Sequence, residues 1–286
     1  MAVPADAAVL VGLGSTLDLP VVAQAAQEAA GHGRPLNLLH IFDWQAAFAA
    51  DTVAAPRDQA EDLITRAAHL AHQAEPGLTV GSEIVESALL PTLIRRSETA
   101  FLLAVGDSGM AGSGQCIPAE TPAVQLAARA GCPLLVVRRE PPPQGPVLVG
   151  VDGSPSSHLA LQWAVECAAR RDARLLALRV VEYDEDTDAV AEQLSEAMAR
   201  HTGRHSSVPT ECRVVRGDPA EVLIDMSRSA QVALVAARGD EPARAMLGAV
   251  AQSLLYHSPA PVVVVRGLAE MPLTERVARP AREKRP

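Results

Sequence analysis

Short apolar runs alternate along this chain with stretches in which apolar side chains recur at helical spacing. The C-terminal part reads most plainly. Val147 to Val151 is unbroken apolar sequence, the pattern of a strand covered on both faces in a parallel sheet. Ser154 and Pro155 supply an N-cap and a first helical residue, and Leu161, Ala164, Val165 and Ala168 follow at helical spacing. Leu175 to Val181 is the next strand. After an acidic loop, Val190, Leu194, Ala197 and Met198 mark one face of a helix. Cys212 to Val215 predicts a third strand, and Gly217-Asp218-Pro219-Ala220 opens a third helix. Gln231 to Ala236, Met246 to His257 and Val262 to Val265 predict the fourth strand, fourth helix and fifth strand. The N-terminal part keeps the same rhythm, with strands near Val9 to Gly12, Leu36 to Phe42, Val80 to Val85, Phe101 to Val105 and Leu134 to Val137. An Ala-rich loop, residues 45–55, lengthens it after the second strand. Such alternation calls for right-handed crossovers and parallel sheets.

The two parts are one pattern written twice. Val9-Leu10-Val11-Gly12-Leu13-Gly14-Ser15 recurs as Val147-Leu148-Val149-Gly150-Val151-Asp152-Gly153-Ser154. Cys132-Pro133-Leu134-Leu135-Val136-Val137-Arg138 recurs as Ala260-Pro261-Val262-Val263-Val264-Val265-Arg266. Between these ends Leu93-Ile94, Ser97 and Ala100 return at a constant offset as Leu223-Ile224, Ser227 and Ala230. A repeat this long means duplicated domains rather than a solenoid. The division is residues 1–140, a Pro-rich linker at 141–145, residues 146–267, and a tail at 268–286 that lacks apolar periodicity and reads as disordered. Both fifth strands are fully apolar and lie last in their sheets. An edge of that kind invites pairing with the other copy or with a second chain, so domain pairing within the chain and a homodimer through these strands are both expected. The alternative is an edge capped by loops.

Composition narrows the partners. A chain of 286 residues holds two domains with cores of their own. Its net charge of −9 and 2% aromatic content leave neither a basic face for phosphates nor stacking platforms for bases, so no nucleic-acid partner is expected. No apolar stretch approaches the ~20 residues of a membrane span. The N-terminus lacks the basic region of a signal peptide. Cys116, Cys132, Cys167 and Cys212 show no metal spacing and read as packing residues in a reducing cytoplasm.

The second copy carries a resemblance. Strand one ending Val-Asp-Gly-Ser-Pro, the Gly217-Asp218-Pro219-Ala220 turn, Ala237-Arg238-Gly239, Gly248 and Ser258-Pro259-Ala260-Pro261 are individually weak signals. Their joint order resembles a tandem universal stress protein of the actinobacterial type, over about residues 6 to 267. The resemblance implies an α/β chain of two tandem open parallel sheets, five strands each in the order 3-2-1-4-5, of the adenine nucleotide alpha hydrolase-like, universal stress fold. In nucleotide-binding members an Asp after strand one holds adenine and a strand-two residue packs on it. A Gly-x2-Gly-x9-Gly-Ser/Thr stretch after strand four wraps ribose and phosphates, with glycine amides and a helix N-terminus facing the anion.

Carried onto the second copy, the adenine Asp is Asp152 and the strand-two contact is Val180. Ala236 replaces the first glycine, Gly239 and Gly248 are the second and third, and Ala249 replaces the hydroxyl residue. The loop is one residue shorter than the pattern, and it carries Asp240 and Glu241 beside Arg238 and Arg244. A missing hydroxyl at Ala249 forfeits roughly 1.5–3 kcal/mol, ten- to hundredfold in affinity. In the first copy Leu13 stands where the Asp would be. Gly106-Asp107-Ser108-Gly109 is present, but Glu120 and Thr121 fall on the final Gly-Ser, and Met110 to Cys116 is glycine-rich. A carboxylate at that helix N-terminus takes the anion position itself.

No catalytic set emerges. His69 and His72 lie on a helix face without a third ligand, and Gly203 separates His201 from His205. Ser154 with His158 lacks a nucleophile elbow, and no phosphate-binding Gly-Lys loop occurs. Two functional readings follow. One is a non-catalytic stress-response regulator binding ATP weakly in the second copy only. The other is an interaction scaffold with both sites decayed. An ATP-hydrolysing enzyme would need Asp240-Glu241 to hold Mg²⁺ against phosphate.

Overall fold

A computed structural model describes residues 6–42, 55–107, 121–182, 185–203, 205, 207–238 and 247–266. The first half runs β1 (Val9–Leu13), α1 (Leu19–Gly31), β2 (Leu36–Phe42), α2 (Ala55–Ala74), β3 (Val80–Glu86), α3 (Leu89–Ser97), β4 (Leu102–Gly106), α4 (Pro122–Arg129) and β5 (Leu134–Val137). The second runs β6 (Val147–Gly150), α5 (Pro155–Arg170), β7 (Leu175–Val181), α6 (Thr187–Thr202), β8 (Thr210–Arg216), α7 (Pro219–Ser227), β9 (Val232–Ala236), α8 (Ala249–His257) and β10 (Val262–Val265).

The ten strands form one sheet in the order β3-β2-β1-β4-β5-β10-β9-β6-β7-β8. Each half therefore has the implied order 3-2-1-4-5, with parallel pairing throughout. The halves meet where β10 pairs antiparallel with β5, Val262 opposite Val136 and Val264 opposite Leu134. Each of these strands now has a neighbour on both sides. Pairing within the chain holds, and the expected homodimer through the same strands is corrected: neither edge is left for a second chain. The short linker keeps the partner edge at high local concentration, which favours the intramolecular contact. The remaining outer strands, β3 and β8, are half-exposed and charged. Glu83 accepts from Arg96 at 2.6 Å and Glu211 from Arg174 at 2.5 Å, a common defence of sheet edges.

Element types agree with the periodicity, and the differences lie at ends. β8 begins at Thr210 and ends at Arg216, beyond the expected 212–215, because an outer strand tolerates polar residues on its exposed positions. α8 starts at Ala249 rather than at 246. Gly248 is extended (φ −64°, ψ 147°), and its N–H donates to the Ala237 carbonyl at 2.9 Å, which holds the chain out of the helix. The 45–54 part of the Ala-rich loop, the glycine-rich 110–116 segment, Glu120 and the 268–286 tail lie outside the described residues.

Strand alternation sends Val147, Val149 and Val151 to one face, under α1, α2, α5 and α6, and Leu148 to the other, under α3, α4, α7 and α8. Both core layers run unbroken through both halves. Polar contacts cross the seam as well. Arg138, 3% exposed, donates from Nη2 to the Leu254 and Leu255 carbonyls at 3.0 and 2.9 Å, ending α8 of the other half. Burial lowers its pKa to about 10, which the Asp107 charge partly opposes. Arg266 returns the contact on Ala127 at 3.2 Å. Glu28 of α1 accepts from Arg171 at 2.7 Å and Arg170 at 3.1 Å of α5, beside a stack of His32, Phe101 and Trp163.

Candidate functional site

Open α/β sheets bind ligands at the carboxyl ends of the strands where the strand order reverses. In the second half that point lies between β6 and β9. β6 gives way to Val151 and Asp152, and Gly153 turns the chain at φ +85°, a conformation that favours glycine. Ser154 then caps α5, accepting from the Ser157 amide at 3.1 Å. Asp152 Oδ1 accepts from the Ser154 amide at 2.9 Å. Partial burial pushes the Asp152 pKa up. Hydrogen bonding at Ser154, the nearby Ser157 hydroxyl and the charge of Arg179 outweigh this and hold the carboxyl below its usual value.

Around this turn lies a cavity of about 230 Å³. Asp152, Val180, Ala236, Gly248 and Ala249, five residues singled out from the sequence, all line it. Gly239, the sixth, lies outside the described residues with Asp240, Glu241 and Arg244. Sequence reasoning missed Ser157, Leu223 and Pro219 on the same wall. Ser157 had a signal, since it is one helical turn beyond the cap, whereas Leu223 reads only as a core position. Arg238, noticed as a counter-charge to the acidic loop, also lines the cavity. The volume is below the roughly 300–1,000 Å³ of pockets that take whole drug-sized ligands. It suits a base-sized group, with apolar walls from Leu178, Val180 and Val235 and charge at Asp152 and Arg238.

The first half differs at the same place. The shared register (Val9 opposite Leu36, Val147 opposite Leu175) and the paired caps Ser15 and Ser154 put Asp18 at the position of Ser157. Asp18 Oδ2 accepts from the Gly14 and Ser15 amides at 2.9 and 3.0 Å. Its other oxygen lies so close to Gly106 that a Cβ there would sit 2.5 Å away. An internal carboxylate therefore sits at the carboxyl ends of β1 and β4. The sequence pointed instead to Glu120. Thr121, next to it, precedes α4 without capping it.

The other candidates fall into local roles. His69 contacts Gln73, and His72 the Ala68 carbonyl, on an exposed helix face. Among the described residues no cluster of three or more metal-ligating side chains occurs. Ser154 is 1% exposed and serves as a cap. Burial pushes the thiols of Cys132 and Cys167 up to about 12 and about 11, far from thiolate reactivity, and Cys212 is half-buried. Cys116 is outside the described residues.

The model of the Universal stress protein family matches residues 7–138 and again 145–266. The chain belongs to that family. A universal stress protein of Mycobacterium tuberculosis is 32% identical over 285 residues, covering 90% of this chain and 96% of that protein. Another from the same organism is 34% identical over 270 residues, covering 85% and 90%. Among solved structures, a universal stress protein from Archaeoglobus fulgidus aligns with a TM-score of 0.68 at 17% identity, over 90% of this chain and 96% of that one. One from Pseudomonas aeruginosa aligns at 0.66 and 15%, over 92% and 94%. These establish a universal stress fold repeated twice. Among the described residues no helix is long and apolar enough to cross a membrane.

Proposed function

We propose that this chain is a non-catalytic, cytoplasmic stress-response regulator of two domains, 1–140 and 146–267, whose second domain binds adenine nucleotide weakly. The observation that carries the reading is convergence: Asp152, Val180, Ala236, Gly248 and Ala249 come from four separate segments and line one cavity. Val180 offers an adenine ring an apolar face, Asp152 an acceptor for its exocyclic amine, and Arg238 a positive charge toward phosphate. The first turn of α8 supports the same reading, because Gly248 provides no side-chain cap and leaves amide N–H groups for an anion. Asp18 in the first crevice argues for one site per chain rather than two.

Calorimetry with Mg-ATP tests this. The expected stoichiometry is about one per chain, with weak affinity because Ala249 lacks the hydroxyl that would add roughly 1.5–3 kcal/mol. An Asp152→Ala variant that keeps the wild-type signal would sink the adenine assignment. Absence of heat at ~1 mM ATP would favour the second reading, a scaffold with both sites decayed. That reading draws on the methyl groups of Ala236 and Ala249, which offer nothing polar where a nucleotide would need it.

A further inference from the structure

We propose that the second domain carries another site, on the opposite face of the sheet from the nucleotide crevice, where Arg179 binds a small oxyanion borne on an apolar body. The proposal does not depend on ATP binding. Successive residues of β7 point to opposite faces. Val180 lines the crevice, while Arg179 lines a cavity of about 180 Å³ bounded by α5 and α6.

The condition of Arg179 carries the argument. Its Nε and Nη1 are shielded from solvent, and among the described residues neither has a hydrogen-bond partner. Charged donors left unmet in a shielded place are costly, and a small turn of the guanidinium toward the cavity that it lines lets an oxyanion relieve that cost with paired, charge-assisted bonds that fit the planar group. The first half shows the same position without this condition. The register puts His40 there, and its Nδ1 lies 2.8 Å from the Leu13 carbonyl, a buried and satisfied contact.

The surroundings favour an anion. Arg200, Gln193 and His158 add donors to the lining, against one carboxylate, Glu196. Arg200 Nε donates to the Glu196 main-chain carbonyl at 3.3 Å, which holds it beside the cavity. The His201 ring lies 6.2 Å from that of His158, and its pKa is lowered by burial first and then by its neighbours His158 and Arg200. Two acids of the β7–α6 loop, Glu185 and Asp186, face other partners. Glu185 Oε1 accepts from the Glu182 amide, and Asp186 caps α6 through the Asp188 and Ala189 amides. Asp152 interacts with Arg179 through its charge, yet its Oδ1 is taken by the Ser154 amide. The remaining wall, Val151, Val190, Leu194 and Ala197, is apolar. The ligand class is thus a small phosphate monoester or carboxylate with a hydrocarbon portion.

Amide NMR shifts of the full chain on titration with phenyl phosphate, benzoate and inorganic phosphate test the site. Saturable shifts are expected at Gly153, Arg179, Gln193 and Arg200, with phenyl phosphate or benzoate binding more tightly than inorganic phosphate. A response to phenyl phosphate alone assigns a phosphate monoester, and a response to benzoate alone assigns a carboxylate. Arg179→Gln should weaken binding by about tenfold or more. Arg200→Ala, on the exposed face of α6, should weaken it by a few fold without disturbing the core. Shifts confined to Gly248 and Ala249, or no saturable shift up to ~10 mM probe, would overturn the proposal. So would unchanged affinity in a folded Arg179→Gln protein. Should that variant not fold, unchanged affinity in Arg200→Ala would count against the site in the same way.

Discussion

The two crevices at the carboxyl ends of β1 and β6 share a backbone and differ in what fills them. In the first, Asp18 gives one oxygen to the turn amides of Gly14 and Ser15 and sets the other against Gly106. In the second, Ser157 folds its hydroxyl back onto the Ser154 carbonyl at 2.9 Å and leaves an open cavity. Duplication supplied two equal frames, and short side-chain differences in the first helical turn separated their chemistry. The opposite face repeats the lesson, since His40 is satisfied by Leu13 while two shielded donors of Arg179 are unmet among the described residues. An equal fold therefore does not carry an equal site.

The comparison depends on the halves being locked in one sheet, and the largest expected effect comes from breaking that lock. Glu28 is 8% exposed and faces both Arg170 and Arg171. Burial raises its pKa, but the two arginines outweigh burial and lower it overall. Glu28→Ala leaves two arginines without their counter-ion, and removing one partner of a buried pair costs about 3–5 kcal/mol. Denaturant unfolding measures it; a loss under ~1 kcal/mol, typical of surface pairs, would mean that this clasp contributes little.

Acid should loosen the same seam. Burial lowers the His32 pKa from 6.5 to about 4, the Arg170 and Arg34 charges act in the same direction, and Glu28 opposes them. The unfolded chain binds the proton more readily. The neutral ring's contribution is therefore complete above 6.5 and is lost as pH falls toward 4, up to ~3 kcal/mol. Glu28, with its pKa below 4.5, adds a second loss at lower pH. Unfolding free energy should fall through this window in the wild type and fall less in His32→Gln. An equal slope in the two proteins would assign the acid sensitivity elsewhere.

Periodicity and the repeated bookends were enough to read the ten strands and the duplication and to mark the fifth strands as pairing edges, because these depend on local pattern and on apolar edges; they did not choose between the other copy and a second chain. The Asp152 to Ala249 set was legible only through family resemblance, since no spacing shows that residues from separate strands meet. Asp18 was overlooked because it sits in an ordinary Ser-x-x-Asp capping box, which reads as a helix start. What makes it matter is its nearness to Gly106, far away in sequence. Arg179 was hidden in the same way: a single charged residue in an apolar strand reads as an exposed position until the helices covering that face are in place.

The proposed weak site can be strengthened to sharpen the contrast between halves. Ala249 is the first residue of α8, where a hydroxyl would face an anion together with the helix amides. Ala249→Ser is expected to tighten Mg-ATP by ten- to hundredfold, the worth of roughly 1.5–3 kcal/mol, at unchanged stoichiometry. Calorimetry that shows no gain would mean that phosphate does not reach this helix end.

The smallest effect asks whether Asp18 alone separates the two crevices. Asp18→Ser gives the first half the residue found at the matching position of the second, and removes two bonds to turn amides. The cost should resemble that of a lost cap, about 1 kcal/mol. No second equivalent of ATP should bind, because Leu13 still leaves the first crevice without a carboxylate at the Asp152 position. The close approach to Gly106 gives a finer reading. In the wild type, Gly106→Ala places a Cβ 2.5 Å from Asp18 Oδ1; without that carboxylate the next atom is Val21 Cγ2 at 3.5 Å, an ordinary contact. The alanine should therefore destabilise the wild type and be near neutral in the Asp18→Ser background, a coupling of about 0.5–1 kcal/mol in a double-mutant cycle. Additive effects would mean that the carboxylate swings away from Gly106 at little cost. Asp18 would then be a helix cap that happens to point inward, and the closure of the first crevice would have to be sought in other residues.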